Sequence, residues 1–313
     1  MRKFIIGDLH GNGEVYDSVM AFLENLSLTD FIELTINGDL IDWGSQSRRM
    51  ILDVKERMEG KGNILVRYLG GNHELMMYQA LRDRSLGKKI YHSDWYDDGG
   101  YTFDDEENDN SNWKEELDSL RDFSGSLKIL HVFDEKINGK PILLVHGQAP
   151  LDVLRVSSMK IRDDNTDVFD AVWNREIAVG ALGLPDGRTN RVGNPDYFTI
   201  VGHYSVSDPK GFEYFDRGAY SFLNIDGGCQ AYVRGDFSYD HVPLVEIKNN
   251  HLSILVFNHN NEIIDGYIFD GECRKMEENE LCKMRSFLNP ELNGNGEENK
   301  KFILTLKEDG ALF

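Results

Sequence analysis

A chain of 313 residues with 54 acidic against 34 basic side chains and a formal net charge of -20 repels a nucleic-acid polymer over most of its surface, so no such partner is expected. Its three cysteines, Cys229, Cys273 and Cys282, are too few and too irregularly spaced for a disulfide framework or a thiolate zinc site, and read as reduced thiols in the cytoplasm. The length suits one large α/β domain with additions, and no run approaches the roughly 20 apolar residues of a membrane span.

Arg2 and Lys3 lead into Phe4-Ile5-Ile6, a run too short for a signal-peptide core and right for a strand. It ends in Gly7-Asp8-Leu9-His10-Gly11-Asn12, where an acid and an imidazole stand two residues apart. An amphipathic helix follows, with Val15, Val19, Phe22, Leu23 and Leu26 on one face. A second strand, Phe31 to Ile36, empties into Asn37-Gly38-Asp39-Leu40-Ile41-Asp42-Trp43-Gly44. The next helix, Ser45 to Glu59, turns Met50, Ile51, Val54 and Met58 toward a core and stops at Gly60. A third strand, Ile64 to Leu69, delivers Gly70-Gly71-Asn72-His73-Glu74. Three strand-loop-helix units in a row predict a parallel sheet, in which ligands collect beyond the carboxyl ends of the strands.

From Leu75 to Lys140 the pattern loosens into a helical insertion whose acidic run at Asp104-Asp105-Glu106-Glu107 reads as a solvated surface. Asn138-Gly139 marks a hairpin turn, and the strand after it, Pro141 to Val145, runs into His146-Gly147. A helical stretch covers Asp170 to Glu176. Phe198 to Val201 then leads to Gly202-His203, and Ser221 to Ile225 to Asp226-Gly227-Gly228. The alternation of Val242 to Ile247 and Leu252 to Phe257 about Asn249-Asn250 predicts a hairpin completing a second sheet. The tail from Arg274 is charged, with a break at Asn293-Gly294-Asn295-Gly296.

Collected, the polar residues at strand ends are Asp8, His10, Asp39, Asn72, His73, His146 and His203. Singly each has an ordinary reading: a helix N-cap for an aspartate, a turn residue for Asn72, a hydrogen-bonded structural histidine for His146 or His203. Jointly they fit two divalent ions about 3.5 to 4 Å apart, which need one bridging carboxylate and oxygen and imidazole donors around it. Asp39 suits the bridge, Asp8 and His10 one ion, and Asn72, His146 and His203 the other. A thiolate-free donor set suits manganese, iron or zinc and does not decide among them.

With these motifs the chain resembles the calcineurin-like metallophosphoesterases. Gly7-Asp8-Leu9-His10-Gly11, Gly38-Asp39-Leu40-Ile41-Asp42, Gly71-Asn72-His73-Glu74, Val145-His146-Gly147 and Gly202-His203 carry the likeness. Tyr204 after His203, in place of a second histidine, is similar to the phosphoprotein phosphatase branch. Trp95 with Asp98-Gly99-Gly100-Tyr101-Thr102, Trp173-Asn174-Arg175 and Ile225-Asp226-Gly227-Gly228 are similar to segments of its bacterial and phage members, among them the lambda-phage phosphatase and the symmetrical dinucleoside-tetraphosphate hydrolases.

The resemblance implies an α/β fold, a central β-sandwich of mixed sheets flanked by helices in four αββα layers. A catalytic domain is expected over 1–270, with the insertion near 75–135, and a charged extension over 271–313. The expected activity is hydrolysis of phosphomonoesters, phosphoserine and phosphothreonine proteins first, by in-line attack of a hydroxide bridging the two metals. His73 is then the general acid, oriented by Asp42, and Arg175 a phosphate-binding residue. The partner is accordingly a phosphorylated protein or a small phosphorylated molecule.

One position departs from the family: Trp43 stands where an arginine is usual, so one phosphate-gripping guanidinium is lost. Trp43 can pack, or can stack an aromatic base of the substrate. Arg48 or Arg49, on the next helix, could reach back and compensate. Hydrolysis of a dinucleoside polyphosphate anhydride by the same site is therefore a second expectation, and an inactive metal- or phospho-ligand-binding scaffold a third.

Overall fold

A computed structural model describes residues 1–60, 62–89, 93–106, 113–174, 193–206, 208–216 and 218–288. Strands β1 (Arg2–Ile6), β2 (Ile32–Asn37) and β3 (Ile64–Leu69) pair in parallel, joined by helices α1 (Gly13–Ser27) and α2 (Ser47–Met58). Asn12 caps α1, its Oδ1 accepting the Val15 N–H at 3.3 Å. Val15, Val19, Phe22, Leu23 and Leu26 are all buried, as their helical spacing requires. On α2, Met50, Ile51 and Val54 are buried but Met58 is exposed, because it falls in the last turn beyond the edge of the sheet.

Past β3 the chain forms α3 (Asn72–Ser85), the short α4 (Asp94–Asp97), a 3-10 turn over Gly100–Glu106 and α5 (Trp113–Ser126). The second sheet begins with β4 (Leu130–Ile137) and β5 (Lys140–Val145), whose turn residues Asn138 and Gly139 have φ of 51° and 78°. Short helices α6 (Val153–Val156) and α7 (Thr166–Trp173) precede β6 (Phe198–Val201), β7 (Glu213–Phe215) and β8 (Phe222–Asn224). In this sheet β5, β6 and β8 run parallel, in the order β4-β5-β6-β8-β7. The predicted helix at 170–176 ends at Trp173, and its last residues, Arg175 included, lie outside the described residues.

The hairpin of β9 (Val242–Lys248) and β10 (His251–Phe257) forms as predicted but joins the first sheet rather than the second. β9 lies antiparallel against the free edge of β1, with Ile5 opposite Val245. The first sheet then continues through β11 (Ile263–Phe269) and β12 (Cys273–Lys275), giving β12-β11-β10-β9-β1-β2-β3. After it, α8 (Cys229–Val233) having bridged β8 to β9, the helix α9 (Glu278–Leu288) packs on α1.

Alternation along the strands builds the layers. Ile5, Ile142, Leu144, Ile200, Leu223, Val245 and Ile254 fill the space between the sheets, while Phe4, Ile6, Leu143 and Val145 point outward into the core that includes the helices. The result is the four-layer αββα sandwich. Both sheets end their parallel strands at the same edge, where the polar loops meet. No helix among the described residues is long and apolar enough to cross a membrane.

Phe22 is fully buried and makes edge contacts with Phe4, Phe257 and Phe287, at centroid separations of 6.4, 5.9 and 6.4 Å. Phe22→Ala is expected to cost about 3–5 kcal/mol of unfolding free energy in urea and to raise protease sensitivity at α9. A loss below about 1 kcal/mol would mean that α1 does not hold α9 to the sheet.

Candidate metal centre

Asp39 sits at the middle of the polar edge. It follows β2 on Gly38, whose φ of +85° admits no side chain, since a Cβ there would meet the Gly71 backbone and His146 Nδ1 at 2.8 and 2.7 Å. Asp39 Oδ2 lies 3.2 Å from His146 Nε2, 3.7 Å from His10 Nε2 and 3.9 Å from His73 Nε2. Three imidazoles from three different loops thus face one carboxylate oxygen.

Hydrogen bonds behind the rings set which nitrogen faces inward. His146 Nδ1 is 2.7 Å from the Asn37 carbonyl and His10 Nδ1 is 3.2 Å from the Ile41 carbonyl. A carbonyl only accepts, so each Nδ1 carries the proton and each Nε2 turns toward Asp39, the arrangement that presents an imidazole to a cation. His146 Nε2 also lies 3.1 Å from Asn72 Oδ1. Asp8 accepts the backbone N–H of His203 on both oxygens, at 3.2 and 3.0 Å, and the His203 ring lies 5.1 Å from that of His146. The structure therefore brings Asp8, His10, Asp39, Asn72, His146 and His203 into one cluster. Two groups, His10 with Asp39 and His73, and Asp39 with His146 and His203, hold their ligand atoms within 4.8 Å of one another.

His73 completes the first of these groups in place of Asp8. Its Nδ1 is 2.8 Å from Asp42 Oδ2, and Asp42 in turn receives the Trp95 indole N–H at 3.0 and 2.9 Å on its two oxygens. The Asp42 backbone N–H donates to the Ser47 hydroxyl oxygen at 2.9 Å.

Sequence reasoning left three supporting residues without a role. Glu74 closes back on Gly71 N and Asp39 N at 2.8 and 2.9 Å and accepts from the Tyr68 hydroxyl. Its place three residues after Gly71, an acid at the third helical position, was a signal available in the sequence. Trp95 and Asp226 carried no such periodic sign. Asp226 is buried at the end of β8, where Gly228 N donates to it at 2.8 Å.

The electrostatics follow from burial. Asp8, Asp39, Asp42, Glu74 and Asp226 are all buried. Desolvation pushes Asp8 well above the usual carboxylate range, with Asp226 adding to it, and takes Asp42 to about 7 and Asp226 to about 6. Asp39 is held well below that range, because the His146, His73 and His10 rings overcome its burial. The same attraction overcomes desolvation at His73, raised to about 9 beside Asp39 and Asp42, and at His146, raised to about 10; burial and the His73 charge depress His10 to about 3. Asp39 is thus the carboxylate that stays charged, and oxygen and nitrogen donors converge on it in a set that could hold a metal ion.

Trp43 lies at the rim. Its ring meets Tyr101 edge-on at 6.4 Å, and the guanidinium carbon of Arg234 stands 4.4 Å from its centre. The expected compensators are engaged elsewhere: Arg48 binds both oxygens of Glu116 at 2.6 and 2.8 Å, and Arg49 binds Asp17 at 2.9 and 3.1 Å.

Trp95→Phe keeps an aromatic ring, smaller than the indole, in this buried place and removes the donor that serves both Asp42 oxygens. It is expected to destabilise the fold by about 1–3 kcal/mol in denaturant unfolding, the cost of a buried acceptor left short of a partner. An unchanged midpoint would mean that His73 alone satisfies the Asp42 carboxylate.

A family model described as calcineurin-like phosphoesterase matches residues 1–240. Among solved structures, a protein serine/threonine phosphatase from Saccharomyces cerevisiae is 16% identical, covering 82% of this chain and 80% of that chain at a TM-score of 0.47. The cold-active protein-tyrosine phosphatase of a psychrophilic Shewanella is 13% identical, covering 88% and 80% at 0.46. A candidate diadenosine tetraphosphatase is 14% identical, covering 82% and 93% at 0.42. No curated protein matches the chain.

Proposed function

The chain belongs to the calcineurin-like phosphoesterases, metal-dependent hydrolases, and on that premise we propose that it is a two-metal phosphatase acting on phosphomonoesters, phosphoserine and phosphothreonine proteins first among them. The observation that carries this reading is the single Asp39 oxygen facing three imidazole nitrogens, two of them fixed from behind by backbone carbonyls. Asp39 would bridge the ions; Asp8 and His10 would complete one, and Asn72, His146 and His203 the other. Manganese suits these donors, as do iron and zinc. Bound there, two divalent cations supply a nucleophile at neutral pH and neutralise charge on the transferring phosphoryl group.

The protein's own part is proton delivery and positioning. His73 is the general acid: Asp42 holds the proton on its Nδ1, and its Nε2 faces the same side as the ligands, where a leaving oxygen departs. Trp95 keeps Asp42 from turning away. Arg175 is assigned to the phosphate oxygens, where a planar guanidinium grips two at once. Residues 1–270 form the catalytic domain, and 271–313 an extension whose described part lies on the sheet and on α1. The free thiols Cys273 and Cys282, both exposed, suit a reducing cytoplasm.

A second reading, hydrolysis of a dinucleoside polyphosphate, is favoured by the aromatic rim. A cavity of about 530 Å³ beside the first metal loop is lined by Gly11, Trp43, Tyr232 and Phe237, among others, and offers rings on which a base can stack. An inactive scaffold is disfavoured by the complete donor set and the intact pairing of His73 with Asp42.

Manganese-loaded protein is expected to hydrolyse an aryl phosphate, and phosphopeptides faster than a dinucleoside tetraphosphate under the same conditions. The reverse order would select the anhydride reading; no reaction above the metal-free control would select the scaffold. His73→Ala should lower kcat by about 10²- to 10⁴-fold while the bound metal stays at two equivalents. Full turnover would remove His73 from proton transfer, and loss of one equivalent would make it a ligand.

A further inference from the structure

The segment between β8 and β9 is built to present one side chain. It begins at Gly228, in the left-handed region at φ 85°, and enters α8 on the buried thiol of Cys229. Tyr232 stacks flat on His259, with centroids 3.3 Å apart and planes within 7°. His259 is pinned in turn, its backbone N–H and Nδ1 both bonding Asp240 Oδ1 at 2.6 and 2.5 Å. The turn closes with Gly235 N donating to Tyr232 O at 2.9 Å and Asp236 N to Ala231 O at 3.0 Å. Arg234 stands at the apex of this anchored turn, exposed, over the face of Trp43.

Arg2, Arg57 and Arg67 each hold a carboxylate, as Arg48 and Arg49 do, whereas Arg234 has a ring beneath it and no carboxylate partner among the described residues. A guanidinium stacked on a ring keeps its N–H groups in its own plane, free to donate at the edge. Trp43 is the residue next to Asp42, which pairs with His73, so the Arg234 guanidinium stands over the residue beside that pair. At a formal net charge of -20 the molecule as a whole repels a phosphorylated substrate, so a cation at the site favours its approach.

We propose that Arg234, seated on Trp43, is the phosphate-binding arginine on this side of the site, supplied by the β8–β9 segment where position 43 offers none. The inference rests on the phosphatase reading for its substrate but not for its test. Trp43 acts as the seat: stacking orders a long side chain that would otherwise lose rotamer freedom on binding.

Calorimetric titration of inorganic phosphate into manganese-loaded protein reads the inference without turnover, and KM and kcat for an aryl phosphate read it with turnover. Arg234→Ala should weaken phosphate binding roughly 10- to 100-fold, raise KM in parallel, and leave the unfolding midpoint and metal content unchanged, since the side chain is exposed. Arg234→Lys should recover part of the loss, keeping the charge without the fork. Trp43→Phe, retaining a smaller seat, should fall between wild type and Arg234→Ala. Phosphate affinity and KM unchanged in Arg234→Ala would overturn the proposal, as would a wild-type protein that binds no phosphate. A wild-type protein that binds phosphate through Arg234 yet hydrolyses no phosphoester would sink the phosphatase reading and leave this one standing.

Discussion

The interaction on which the rest depends is a buried carboxylate ringed by imidazoles. Burying Asp39 is costly unless opposite charge or a cation meets it, and the three facing rings do so from loops after β1, β3 and β5. Keeping those loops in place distorts them. Of the nine non-glycine residues with positive φ among those described, five are here: His10, Asp39, Asp42, Trp43 and His203. Each such residue costs about 1–3 kcal/mol, which only an over-determined surrounding structure sustains. The loops after β1 and β2 supply it by clasping each other: Leu9 N and His10 N both donate to Asp39 O at 2.9 Å, and Gly44 N to His10 O at 3.0 Å.

The sandwich explains why so many polar loops converge. In a lone parallel sheet, strand ends form a row; here two sheets face each other, and the row from β1, β2 and β3 meets the row from β5, β6 and β8. Asn37 shows the join, its carbonyl taking the His146 Nδ1–H and its side chain donating to Val145 O at 3.2 Å. The β9–β10 hairpin closes the free edge of β1, which leaves Asp8 flanked by paired strands on both sides.

Much of this was legible because each apolar strand ended in a glycine-bounded polar loop, a pattern that survives without knowing how the strands are ordered. Asp8, His10, Asp39, Asn72, His146 and His203 all came from that pattern and all lie in one cluster. Strand order was not legible. The alternation of Val242 to Ile247 states that one face is buried, but any edge with a matching face would satisfy it, and the choice of β1 over the second sheet is made by tertiary packing. Contacts between distant loops were hidden for the same reason. Trp95 reaches Asp42 across 53 positions, and Arg234 reaches Trp43 from an even more remote segment. A tryptophan or an exposed arginine has no periodicity to betray its partner. Arg48 and Arg49 were near in sequence yet bound to Glu116 and Asp17, since side chains on that face of α2 point to α5 and α1.

The segment after β8 is also where the chain leaves one sheet for the other. It is tied down by its own stack of Tyr232 on His259, and it shares no strand with the loops that bear Asp39 and its imidazoles. On the proposed reading Arg234 and the loops around Asp39 are carried on separate pieces of backbone that meet at Trp43. A lineage can lengthen, shorten or rewrite the crossover without paying again for the clasped loops, so diversification of specificity in such a scaffold should concentrate at this crossing while the hydrolytic edge stays still.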